Sequence, residues 1–305
     1  MFSTITSPSN PRVKSAAQLK DSRARRKESL FLIDGRRETA RAWTSNYEFT
    51  TVFWNVGKDA RAEERVDPLT ALTRLGAPND LAAELAALLD EIDATGVPVI
   101  PLSEPAFDKV RFGDRNEGIV AVARAKFSRL DDLDAILAAR KESTGEEPLV
   151  AVVENIEKPG NLGAILRSAD GAGVDALVVV SDLGCDVYNP NVVRASLGAV
   201  FHVPVAVADA ENVLNWLRER KFQRATALCD ESIEYHQLNY SLPTAIILGS
   251  EADGLTPPWS QETDVDRQYA LLKKVRLPML GVADSLNVSN AAAVLFYEAR
   301  RSRLG

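Results

Sequence analysis

Six strand-like runs recur through the second half of the chain, at 149–153, 176–180, 203–207, 224–229, 244–248 and 271–277, four of them (149–153, 176–180, 203–207 and 244–248) apolar at nearly every position, and each separated from the next by a stretch of helical character. A run that is apolar at nearly every position has no solvent face. It fits a strand buried on both sides, and strands joined through helices pair in parallel. The alternation therefore predicts an α/β domain, a mostly parallel sheet with helices on both faces. In open sheets of this kind ligands bind beyond the carboxyl ends of the strands, so the loops after these runs carry the interest.

Three of those loops hold polar residues at telling places. Run 149–153 leads through Lys158-Pro159-Gly160-Asn161-Leu162-Gly163 into a helix, with Asn161 near its start and Arg167 nearly two turns in. Run 244–248 ends in Leu248-Gly249-Ser250-Glu251-Ala252-Asp253-Gly254, which delivers a glycine and an acid to the same edge. Run 271–277 stops at Leu277-Pro278-Met279-Leu280-Gly281, because Pro278 has no N–H for a ladder and Gly281 permits a turn. Ser285-Leu286-Asn287-Val288-Ser289 then opens a helix whose Val288, Ala292, Leu295, Phe296 and Ala299 recur at helical spacing. Hydroxyls and an amide at a helix start suit an ordinary N-cap or a polar ligand. Three such loops leaving one sheet edge favour the ligand.

In this order and at this separation the three segments resemble motifs 1, 2 and 3 of the SpoU (TrmH-like) family of RNA ribose 2′-O-methyltransferases, and the likeness runs from about 149 to 304. The resemblance implies S-adenosyl-L-methionine as cofactor, a C-terminal catalytic domain tied in a trefoil knot, and no metal. It also implies a catalytic set of Arg167, Asn161, Glu251, Ser285 and Asn287, with Arg167 and Asn161 on the acceptor ribose. Leu248, Gly249, Gly254, Leu277, Met279 and Leu286 match the positions around the methyl donor. A G-x-G-x-x-G fingerprint is absent, which removes the basis for a nicotinamide-dependent oxidoreductase. The alternatives left open are a tRNA 2′-O-methyltransferase and a non-catalytic RNA-binding or ribosome-associated protein on the same fold.

The first half of the chain reads as a smaller α/β domain. Strand-like runs at 30–33, 51–54, 97–101 and 118–123 alternate with helical stretches at 36–43, 81–92 and 104–110, and the aperiodic, acidic span 57–80 predicts an insertion loop. Ile5-Thr6-Ser7-Pro8-Ser9-Asn10-Pro11, Phe31-Leu32-Ile33-Asp34-Gly35 and Glu117-Gly118-Ile119-Val120 resemble the substrate-binding domain of rRNA-modifying members, itself similar to a ribosomal RNA-binding protein. That likeness implies RNA as partner, 23S rRNA ahead of tRNA. The predicted domains are 1–126 for RNA binding, a linker at 127–147, and the catalytic domain at 148–305. Val294 and Tyr297 lie outside the main stripe of the last helix, which predicts a homodimer through the catalytic domain.

Composition narrows the classes further. At 305 residues and 46% hydrophobic the chain can bury cores for two domains. Cys185 and Cys229 are too few for a disulfide scaffold, and with His202 and His236 they form no zinc-binding spacing. No apolar run approaches ~20 residues and the start does not resemble a signal peptide, so the expectation is a cytoplasmic protein with no membrane partner. The net charge of −7 is unfavourable for an RNA partner, yet residues 1–41 hold ten Lys or Arg against four acids. The cluster Arg23, Arg25, Arg26 and Lys27 is expected to meet phosphates. Arg194 and Ser196 are read as the edge of the substrate site or as part of a surface helix capped at Asn189 or Asn191, His202 as a packed or hydrogen-bonded histidine, His236 as unpartnered, and Trp54, Trp216 and Trp259 as core or interface anchors.

Overall fold

A computed structural model describes residues 3–58, 61, 66–74, 76, 78–113, 117–181, 186–227, 233–250 and 254–304 of the chain. They form two compact units, Met1–Lys126 with Tyr188–Phe201, and Phe127–Val187 with His202–Gly305.

In the first unit, helix α1 (Pro11–Gln18) begins where the Asn10 side chain accepts from Arg12 N at 2.9 Å and Pro11 fills the first turn. Helix α2 (Ser22–Glu28) is capped by Asp21 in the same way. There follow β1 (Leu30–Asp34), α3 (Arg36–Thr44), β2 (Phe49–Asn55), α4 (Pro68–Arg74), α5 (Asn79–Ala94), β3 (Val99–Leu102), α6 (Glu104–Val110) and β4 (Ile119–Arg124). The sheet order is β1-β4-β2-β3, with β4 antiparallel to both neighbours and β2 parallel to β3. Helices α1 and α6 pack together over Leu32, Phe53, Ile100, Val120 and Val122. The span 57–80 is not simply a loop. It contains α4, a seven-residue helix that packs against α5 and buries Ala71 and Leu72.

Segment Tyr188–Phe201 also builds this unit. Tyr188 stacks on Phe31 with centroids 4.2 Å apart, and its hydroxyl lies 3.1 Å from that of Tyr47. Arg194 Nη1 donates to Phe112 O at 2.9 Å, while Ser196 is fully buried and donates to Val193 O. Both side chains are occupied in local structure. Arg25 is likewise buried and donates to Leu19 O at 2.6 Å, leaving Arg23, Arg26 and Lys27 at the surface.

In the second unit come α7 (Leu130–Thr144), β5 (Leu149–Glu154), α8 (Pro159–Ala172) and β6 (Ala176–Val180). Helix α9 (Pro190–Ala195) lies in the segment assigned to the first unit. The second unit resumes with β7 (Val205–Ala208), α10 (Ala210–Glu219), β8 (Gln223–Ala227), β9 (Ile233–Glu234), β10 (Thr244–Leu248), α11 (Asp264–Tyr269), β11 (Leu272–Arg276) and α12 (Val288–Leu304). The strands form one sheet in the order β7-β6-β5-β10-β8-β11-β9, and every pairing is parallel. The expected six strands are joined by β9, a two-residue edge strand too short to carry a period. On one face, Val150, Val152, Val178, Val180, Ala245 and Ile247 meet Leu133 and Leu137 of α7 and Val213, Leu214, Trp216 and Leu217 of α10. Helix α12 packs on β10 and α8, burying Val288, Ala292, Leu295, Phe296 and Ala299. Burial on this scale is worth about 1.5–3 kcal/mol for each large side chain. Trp54, Trp216 and Trp259 are core residues. Inside the long 257–274 connection, Asp266 and Arg224 form an ion pair at 2.7 Å with both side chains fully buried.

Asp34, at the carboxyl end of β1, accepts from Phe112 N at 2.6 Å. Burial pushes its carboxyl up to about 6. The folded state thus binds this proton more tightly than the unfolded chain, whose carboxyl titrates near ~3.9. Asp34 favours folding below the unfolded value, and that contribution is lost as pH rises through about 6. Asp34→Asn is expected to raise stability at pH 7.5 by roughly 1–3 kcal/mol and to leave it unchanged at pH 4. Urea unfolding of both proteins at the two pH values checks this; equal midpoint shifts at both would contradict it.

Candidate active site

Because the strands of the second unit are parallel, the loops after β5, β10 and β11 leave the same sheet edge, with β5 and β10 as direct neighbours. The site is assembled there. Strand β5 ends in Glu154, and the chain turns at Asn155 with φ +50, its N–H donating to Val180 O at 3.2 Å, before α8 starts at Pro159. Asn161 occupies the first turn of α8 and is half-buried. Across from it, Asn287 caps α12: its Oδ1 accepts from Ser289 N at 2.9 Å and from Ser289 Oγ at 2.6 Å. Its remaining amide group, Nδ2, donates to Asn161 Oδ1 at 3.3 Å. One asparagine therefore both starts a helix and ties two loops together, so the cap and the ligand readings of this motif are not exclusive.

Arg167 lies six residues further along α8, about 9 Å of helical rise. It is exposed among buried neighbours Leu166 and Ala169, with no ion pair among the described residues. Ser285 is exposed and makes no hydrogen bond among the described residues. The structure thus brings Asn161 and Asn287 into contact and leaves Arg167 and Ser285 facing solvent. Glu251 lies outside the described residues, as do Cys185 and Cys229.

The loop after β10 is tightly built. Ser250 and Gly254 exchange backbone hydrogen bonds at 3.1 and 3.2 Å. A Cβ on Gly249 would stand 2.2 Å from the Gly254 carbonyl, so no side chain fits there. Gly254 itself has φ +67, in the region glycine enters freely. Leu248 is buried at the end of β10, Leu277 and Met279 are half-buried, and Leu286 is exposed. From 277 to 286 the backbone makes no hydrogen bond among the described residues, and Leu280 and Val282 are almost wholly exposed.

A residue that pattern reading passed over holds this loop in place. The Glu154 carboxylate is 2% exposed and accepts from Thr256 N at 2.8 Å, Thr256 Oγ1 at 2.6 Å and Trp259 Nε1 at 2.8 Å. An acid closing an otherwise apolar strand was the available signal. The histidines have partners too. His202 Nδ1 lies 2.5 Å from Asp170 Oδ1 on α8, so of the two expected settings the largely exposed imidazole takes the hydrogen-bonded one. His236, read as unpartnered, sits 3.6 Å from Glu234 and edge-on to Tyr235.

Residues 148–297 match the SpoU rRNA Methylase family, and residues 10–121 match the MRM3-like substrate binding domain. A 23S rRNA (guanosine-2′-O-)-methyltransferase, RlmB, from Vibrio parahaemolyticus is 32% identical over 222 residues, covering 72% of this chain and 84% of that one. The chain belongs to the SpoU rRNA methylase family. RlmP of Bacillus subtilis, a 23S rRNA (guanosine(2553)-2′-O)-methyltransferase, is 28% identical over 97% of this chain and 98% of its own. Among solved structures, an RNA 2′-O ribose methyltransferase aligns with TM-score 0.71 at 31% identity over 99% of both chains. The SpoU methyltransferase AviRb from Streptomyces viridochromogenes, solved in complex with AdoMet, aligns with TM-score 0.72 at 25% identity over 97% of this chain and 98% of that one. Among the described residues no cluster of His, Cys, Asp and Glu is placed to hold a metal, and no helix is long and apolar enough to cross a membrane.

Glu154→Ala would leave three buried or half-buried donors without an acceptor, at roughly 1–3 kcal/mol for each one fully orphaned. The expected loss is about 2–4 kcal/mol in urea unfolding, with Glu154→Gln losing less because its carbonyl still accepts. A red-shifted Trp259 emission in Glu154→Ala, identified by its disappearance in a Trp259→Phe background, would report the released loop. An unchanged spectrum and midpoint would show that the loop is held otherwise.

Proposed function

We propose that the protein is a cytoplasmic enzyme that methylates a ribose 2′-hydroxyl in RNA, with 23S rRNA as substrate and S-adenosyl-L-methionine as donor. The observation that carries this reading is the Asn287–Asn161 hydrogen bond, which joins the acceptor-side and donor-side loops at one sheet edge in a chain of this family. The donor side fits an adenosyl group. Backbone groups at 277–286 with no hydrogen bond among the described residues, beside the apolar side chains of Leu277, Met279 and Leu286, suit a flat, polar-edged ring, and in this proposal Leu248, Gly249 and Gly254 complete the donor side.

When bound, the cofactor supplies a methyl group already activated on a positive sulfonium. The protein's work is then to align the ribose oxygen with that methyl and to ease loss of the hydroxyl proton. Arg167 holds a phosphate of the RNA and lowers the acidity barrier of the neighbouring 2′-hydroxyl by its charge; a guanidinium is too weak a base to take the proton itself. Asn161 orients the sugar, Asn287 keeps Asn161 in place, and Ser285 reaches the site from the loop before α12. The role left to Glu251 in this proposal is to fix the loop after β10 or to pair with Arg167.

The active form in this proposal is a homodimer, with the C-terminal segment threaded as the family's trefoil knot. Leu280, Val282 and Leu286 on the loop and Val294 and Tyr297 on α12 are exposed apolar side chains of one unit, a surface that favours coverage by a second copy. Tyr297 already lies over Gly171, where a Cβ would stand 2.8 Å from its hydroxyl.

Arg167→Ala is expected to leave donor affinity within a few-fold by calorimetry while removing most single-turnover methyl transfer to 23S rRNA transcripts. Arg167→Lys should not rescue it, since a point charge lacks the planar fork. Near-normal transfer by the Ala variant would sink the assignment, and transfer to tRNA in place of rRNA would redirect the substrate. Light scattering at micromolar concentration tests the dimer: a mass twice 33.2 kDa is expected, lost together with activity in Tyr297→Asp. An active wild-type monomer would exclude it.

A further inference from the structure

The first unit contains a cleft of about 500 Å³ that no part of the active site uses. Its floor is apolar, made by Leu30, Phe53 and Val122 from three adjacent strands, and α1 and α2 form its walls. Ser15, Gln18, Arg12 and Lys27 stand at its rim. Beside this cleft the β2–β4 ladder slips register between Phe49 and Thr51, a bulge that turns Thr50 and Thr51 toward the opening.

We propose that this cleft binds an unpaired nucleotide of the RNA substrate, its base in the slot and its flanking phosphates on α1 and α2. The proposal rests on the methyltransferase reading above and adds where the RNA is gripped. The size lies within the usual range of small-ligand sites, roughly 300–1,000 Å³, and the make-up is the usual one, apolar surface with a few polar groups at the edge. A base offers two apolar faces to such a slot and hydrogen-bonding edges to Ser15 and Gln18. An A-form duplex keeps its bases stacked inside, so only a loop or bulge can fill it. Charge selects RNA over an apolar partner. Residues 10–29 hold seven Lys or Arg against two acids in a chain whose net charge is −7. Glu28 at the rim pairs with Lys27 at 3.5 Å, but the side chains are 81% and 53% exposed in the order Lys27, Glu28, so a phosphate replaces that contact at little cost.

The test is fluorescence anisotropy of the full-length protein with a mixed-sequence single-stranded RNA of about twelve nucleotides, and with the same RNA as a duplex. Ser15→Trp fills the slot from an exposed position on α1 and is expected to weaken single-strand binding roughly tenfold, the order of one lost base contact, while sparing the duplex. Lys27→Glu should lower the log–log salt slope by about 0.7, one phosphate. Both variants should keep wild-type melting curves and wild-type affinity for S-adenosyl-L-methionine. Ala24→Phe, which narrows the slot from α2, guards against a folding defect in Ser15→Trp and should act alike. Wild-type RNA binding by both folded slot variants overturns the cleft and leaves the enzyme reading standing. Failure of the wild type to bind the cofactor or transfer methyl overturns that reading without touching the cleft. A change of oligomeric mass in Ser15→Trp would assign the slot to a second copy and also overturn the proposal.

Discussion

A strand buried on both faces must satisfy every backbone group within its own sheet, and this requirement orders the second unit. Its apolar runs cannot lie at a wet surface, and linked through helices they pair in one direction. From that single direction it follows that β5, β10 and β11 end at the same edge although they lie far apart in sequence. The helices that cover the sheet then supply the rest: α8 begins and α12 is capped at that edge, and their packing against each other brings Asn161 to Asn287.

The loops at the edge are held by a few polar contacts. Glu154 anchors Thr256 and Trp259, Ser250 and Gly254 exchange backbone hydrogen bonds, and the Gly254 carbonyl leaves no room for a side chain at Gly249. A buried carboxylate with three donors is a stable arrangement, because each donor meets an acceptor and the charge is shared among them. In contrast, 277–286 makes no backbone hydrogen bond among the described residues, and Leu280, Val282 and Leu286 lie open. Rigid support on one side of a site and unsatisfied surface on the other is the pattern expected where ligand and partner complete the structure.

The first unit solves a different problem, carrying a positive face on an acidic chain. Its core is closed by α1 and α6 on the sheet and, at β1, by aromatic side chains from Tyr188–Phe201. Arg25 is drawn inward to Leu19 O, while Arg23, Arg26 and Lys27 remain outside on the same short helix. Charge on that helix thus divides between architecture and surface by helical position.

What the chain's residues determined by themselves was local: the strand-like runs to within a few residues, the strand stop before Pro278, the polar opening of the last helix and the buried stripe of α12 follow from propensity and period. The motif order was equally readable, and with it the family. Short elements escaped: β9 spans two residues, a single strand period, and α4 lies in a stretch whose polar and apolar residues show no clear helical stripe. Contacts made at a distance also escaped. No local rule pairs Glu154 with Trp259, sends Tyr188 to Phe31, or ties Arg194 to Phe112 O, because those choices depend on which surfaces meet once the strands have paired. Tertiary packing decided them, for burial rewards a side chain by what covers it, and the covering residue lies anywhere along the chain.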